Sequence, residues 1–182
     1  MKTTSGLAAL VTLLVLAFAA GCGPQTGDAN QLVHEAGNII YSVSGQLKQA
    51  DTLMSEAAAQ SNQRQLETEK TTLLETKKIV TGAIPQIQSA QSKIDEAGGL
   101  EISSAFHQYL QAKSKALAAA LALRQTQLQK INLMLADPGL DNQASQKQFA
   151  QLQQQEAQQD KNVQDAENEA DTIANAHPNE IQ

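Results

Sequence analysis

From Asp28 onward, apolar residues recur every three or four positions almost without interruption, and breaks divide the chain into four stretches of similar length. In the first, 28–60, Val33, Ala36, Ile40, Val43, Leu47, Ala50, Met54 and Ala57 alternate steps of three and four, with Asp28 as the expected N-cap. That is a full coiled-coil stripe. The second, 62–97, carries Leu66, Leu73, Val80, Ile87 and Ile94 at seven-residue spacing, and Lys70, Lys77, Ile84 and Gln91 read as its weaker intervening positions. Gly82 and Pro85 predict a kink or a break near 81–85, because proline removes a backbone donor and crowds the preceding turn.

The third stretch, 100–136, places Phe106, Leu110, Leu117, Leu121, Leu128, Ile131 and Leu135 on one face. Lys113 and Arg124 fill the two remaining positions of that stripe, and their stems are expected to lie along the seam with the charged heads reaching water. In the fourth, 141–176, Phe149, Leu152, Val163, Ala166, Ala170 and Ile173 form a seam interrupted at Glu156 and Gln159. Its middle, 153–162, is nearly all polar, so it lies outside the bundle, frays, or meets a partner. His177-Pro178 ends the helix, and 178–182 reads as a disordered tail.

Helices of these lengths would each run roughly 50 to 55 Å. Four of equal length with short connections predict an all-α fold, an elongated up-down antiparallel bundle over 28–177, with both termini at one end. The weakest boundary is the first, since 59–63 holds neither glycine nor proline. Without a turn there, the alternative is three longer helices with a bend at Pro85.

Composition agrees with helix. Twenty-nine alanines and 26 glutamines against two tyrosines, three phenylalanines and no tryptophan argue against β-sandwiches and barrels. One cysteine rules out a disulfide scaffold.

That cysteine belongs to a different signal. Lys2 is followed by an apolar run, Leu7 to Ala20, broken only by Thr12, and then by Ala19-Ala20-Gly21-Cys22. The run is about 14 residues, roughly 21 Å as a helix, too short to span a bilayer core of about 30 Å. It reads as a secretory signal. Ala19-Ala20-Gly21-Cys22 resembles the bacterial lipobox, with alanine where leucine is usual. The resemblance implies a bacterial lipoprotein: a signal peptide over 1–21, diacylglycerol in thioether linkage on Cys22, and cleavage before it to leave 161 of the 182 residues. Residues 22–27 would then be a lipidated tether. Two or three acyl chains anchor stably where one is marginal. The membrane, cell or outer, is left open by Gly23 following the cysteine.

The helical domain offers little recognisable chemistry. Inward Glu-x-x-His pairs are absent, and His34, His107 and His177 stand on separate stretches, so neither a di-iron nor a helical zinc motif is present. Asp165, Glu167, Glu169 and Asp171 lack the turn glycine and terminal glutamate of a calcium loop and read as a solvated acidic face. Glu69, Lys70, Glu75, Lys77 and Lys78 read as surface ion pairs. No cofactor, metal or catalytic residue is expected. Without Lys2 the chain has 12 basic and 19 acidic residues, a surface unsuited to nucleic acid or anionic lipid.

The function these features predict is a membrane-anchored, non-enzymatic binding or structural module of the cell envelope, on the extracytoplasmic side. Its expected partners are the membrane through Cys22 and an envelope protein or cell-wall component. The alternative is a small-molecule-binding or sensory bundle, with a pocket at the Pro85 kink lined by Ile79, Ile84 and Ile87.

Overall fold

A computed structural model describes residues 25–178, 180 and 181; Cys22 and the signal segment lie outside them. Among the described residues there are four α-helices and no strand: α1 Thr26–Asn62, α2 Leu66–Gly98, α3 Ser104–Ala136 and α4 Gln143–Ala176, with a short 3-10 turn, Pro138–Leu140, before α4. The protein is an all-α helical bundle. Cα atoms within 8 Å join α1 to α2, α2 to α3 and α3 to α4, whereas none join α1 to α4.

The first turn forms without glycine or proline. Arg64 adopts φ 59°, and backbone bonds from Gln63 N to Ala59 O and from Gln65 N to Gln60 O close the end of α1. Arg64 Nη1 lies 2.6 Å from Asp141 Oδ1, so this turn and the α3–α4 connection meet at one end, called distal below. Gly139, at φ 77°, sits between them, and a Cβ there would come 3.1 Å from Arg64 Nη1. At the proximal end Gln25 Oε1 accepts from the backbone N–H of Glu101, pinning the start of α1 to the α2–α3 turn. Ser103 caps α3 by accepting from Phe106 N, and Asn142 caps α4 by accepting from Ala144 N.

Several expectations are corrected. Asp28 is not the N-cap of α1, which begins at Thr26; it stands in the first turn, where a carboxylate opposes the positive end of the helix dipole. α2 runs unbroken through Pro85, whose ring faces solvent. The interleaved positions of α2 are not 70, 77, 84 and 91 but Glu69, Thr76, Ala83, Ala90 and Ala97, all buried. Ala83, Ala90 and Ala97 share one apolar cluster with Ala36 of α1, and such small side chains let α1 and α2 approach closely. The segment 153–162 does not fray: it stays helical and mostly exposed, so the reading that it lies on the outside of the bundle holds. Of the expected tail, Pro178, Glu180 and Ile181 are described, and Ile181 is buried in the proximal core with Phe106.

The apolar core falls into two parts. The proximal cluster includes Ile40, Leu47, Ile87, Ile94, Phe106 and Leu110; the distal one includes Leu73, Val80, Ile131 and Met134. Between them lies a layer of buried polar side chains.

Candidate functional site

The buried polar groups are organised by α3, whose seam presents three cations to its neighbours. Lys113, Arg124 and Lys130 are all buried, so the heads of Lys113 and Arg124 do not reach water as the sequence suggested. Each is answered by an acid from another helix. A cation taken out of water is tolerated only when paired and hydrogen-bonded, and the partners here stand 26 to 73 positions away in the chain.

In the middle layer, Arg124 Nη1 lies 2.7 Å from Asp51 Oδ1 of α1. Gln127, one turn along α3, accepts from Arg124 at 2.7 Å and donates to the same Asp51 oxygen at 3.1 Å, closing a three-membered network. Arg124 Nε has no partner. Lys130 pairs with Glu156 of α4 and sits 5.3 Å from the centre of the Phe149 ring. The polar interruption in α4 is thereby partly used inside the bundle.

The proximal site is the most enclosed. Lys113 pairs with Glu167 of α4, both buried, and its ammonium lies 5.6 Å from the centre of the Tyr109 ring. Burial alone would push Lys113 down; negative charge at Tyr109, Glu167 and Asp171 and the hydrogen bond to Glu167 outweigh it and hold the ammonium above the usual lysine range. Burial raises the Tyr109 phenol, and Glu167 and Asp171 add to the rise against the opposing pull of Lys113. Asp171 Oδ1 is buried without a partner.

A cavity of about 20 Å³ adjoins this pair, lined by Val33, Ala36, Ile40, Ile94 and Leu117 besides Tyr109, Lys113 and Glu167. That is room for one water and for no substrate or drug-sized ligand. It includes none of Ile79, Ile84 and Ile87, and the first two of these are partly exposed. A shallow groove of about 470 Å³ runs between α3 and α4 over Ala118, Ala119 and Ala166, edged by Lys115, Asp165 and Glu169.

The other residues singled out from sequence remain dispersed. His34 and His177 are exposed and His107 half-buried, each at its own place, and no group of three potential metal ligands exists among the described residues. Of the acidic run, Asp165 and Glu169 face solvent while Glu167 is buried on Lys113. Glu69, read as a surface charge, is fully buried. No described helix is long and apolar enough to cross a membrane. Compared with known protein families, curated proteins and solved structures, this chain matches none of them.

Proposed function

We propose that the protein is a lipid-anchored helical lipoprotein on the extracytoplasmic side of a bacterial membrane, acting as a non-enzymatic binding or structural module of the envelope. One observation carries the reading: the lipobox-like Ala19-Ala20-Gly21-Cys22 stands three residues before Gln25, which is hydrogen-bonded to the α2–α3 turn. A tether from Cys22 to Gln25 extends about 10 Å at most. An acylated Cys22 therefore keeps the proximal end beside the bilayer and projects the distal turns, at the far ends of helices of 33 to 37 residues, roughly 50 Å outward.

The proximal end itself is acidic. Asp28, Glu35, Asp95, Glu96, Glu101 and Glu180 gather there against Lys93, which gives no attraction to anionic lipid. In this reading the acyl chains supply all of the membrane affinity. The test is Cys22→Ala expressed in a bacterial host, followed by membrane fractionation and intact mass. Loss of the diacylglycerol mass together with release from membranes, or arrest as the uncleaved precursor, is expected; mature protein still held by membranes without that mass would refute the anchor.

A further inference from the structure

The distal end buries a carboxyl group that no cation answers. Glu69, in the first turn of α2, has 0% of its surface exposed and occupies the same seam as Thr76 and Ala83. Neither of its oxygens has a hydrogen-bond partner, and Gln60 Oε1 in the last turn of α1 is a third buried acceptor at this end without a donor. The Ser61 side chain and the Gly139 backbone approach the carboxyl from α1 and from the α3–α4 connection, without meeting hydrogen-bond geometry at either oxygen.

The surrounding charges are committed elsewhere. Arg64 and Asp141, from the two turns, pair with each other at the surface. Asp137 accepts from Asn142 N, and Lys130 of α3 is taken by Glu156. Glu56 of α1, Glu67 and Lys70 of α2 and Lys147 of α4 are exposed. No charged side chain is close enough to shift Glu69, and burial is the leading cause that pushes its carboxyl above the ordinary 4.5.

We propose that Glu69 carries a proton in the closed bundle, and that its loss as pH rises opens the distal end where the α1–α2 and α3–α4 turns meet. The protonated carboxyl removes a charge that no cation pairs and supplies an O–H donor at an end where Gln60 Oε1 is an acceptor without a donor. Because the folded state holds this proton more tightly than the unfolded one, the stability it contributes is complete below pH 4.5 and is lost as pH climbs through the folded value. The inference rests on the packing of the bundle and is independent of the lipid anchor.

Hydrogen exchange of the purified chain, corrected for intrinsic rates and compared between pH 4.5 and 7.5, tests it. In the wild type, protection of 56–72 and 134–146 should fall about tenfold or more. In Glu69→Gln it should stay within about twofold, and the proximal segment 90–112 should change little in either. Equal pH dependence in the two proteins would overturn the proposal. Should Glu69→Gln fail to fold, a carbon-13 titration of the wild-type Glu69 carboxyl decides: a midpoint well above 4.5 is expected, and one at or below it overturns the proposal.

Discussion

Arg124 Nη1 lies 2.7 Å from Asp51 Oδ1, joining α3 to α1 although no Cα atoms of these two helices come within 8 Å of each other. The contact is made entirely by long side chains reaching across the core, with Gln127 bonded to both. It separates the proximal and distal apolar clusters and fixes the height of α1 against α3. A one-turn slip of either helix would strand a charge in the interior.

Arg124→Met should therefore destabilise the fold well beyond the loss of a surface pair. It leaves Asp51 and Gln127 facing an apolar group, and breaking a buried pair costs about 3–5 kcal/mol, the lower end being expected because Asp51 keeps some water contact. Adding Asp51→Leu should recover most of the loss, since replacing both partners by apolar groups is often neutral. Denaturant melts of the two single variants and the double variant measure the coupling; additive single effects would show that Arg124 and Asp51 act independently.

The sequence revealed the seams better than the polar layer. The α1 stripe is buried where periodicity placed it at Ala36, Ile40, Val43, Leu47, Ala50 and Ala57, while Val33 and Met54 are half-buried. In α2 the seven-residue ladder Leu73, Val80, Ile87, Ile94 is also buried. The interleaved ladder was misplaced by one residue because Ile84 outweighs its neighbour Ala83 in hydrophobicity, whereas close helix approach favours the smaller side chain. Lys113 and Arg124 were legible as seam positions, but their acids are 54 and 73 residues away, and nothing local to α3 indicates that Glu167 and Asp51 stand opposite. The first turn carried no glycine or proline signal because Arg64 takes the left-handed conformation itself, tied down by Asp141.

Alkaline pH should loosen the proximal end. Lys113 and Tyr109 both hold their protons more tightly in the fold than in the unfolded chain, so their contribution is intact below about pH 10 and is lost as pH rises through the folded values. Circular dichroism at 222 nm, followed as a function of temperature from pH 8 to 12, should show the melting temperature falling above pH 10. The fall should be shallower in Lys113→Met/Glu167→Leu. An equally steep fall in that variant would place the alkaline sensitivity elsewhere in the bundle.

Glycines at two kinds of position should respond in opposite senses to alanine. Gly45 lies on the exposed face of α1 with open space around its Cα, so Gly45→Ala should stabilise by up to ~1 kcal/mol through helix propensity. Gly139 has φ 77° and the Arg64 guanidinium close by, so Gly139→Ala should cost about 1–2 kcal/mol. Thermal melts of the two variants compare them directly, and a stabilising Gly139→Ala would mean that the α3–α4 connection does not need its left-handed residue.

Pro85 offers the sharpest separation between a helix that tolerates a breaker and one that uses it. α2 continues for 13 residues beyond the ring, and Pro85 itself is solvent-exposed, so the proline removes one backbone bond without filling any core position. Pro85→Ala restores the missing N–H donor and relieves the crowding of the preceding turn. It should raise stability by about 1–3 kcal/mol, less than the full interior-proline penalty if the surrounding helix has already relaxed around the ring. Equilibrium urea unfolding of the variant against the wild type provides the measurement. A loss of stability instead would show that α2 needs Pro85 to keep Ala83, Ile87 and Ala90 seated in the core, and the residue would then be a shaping element rather than a tolerated breaker.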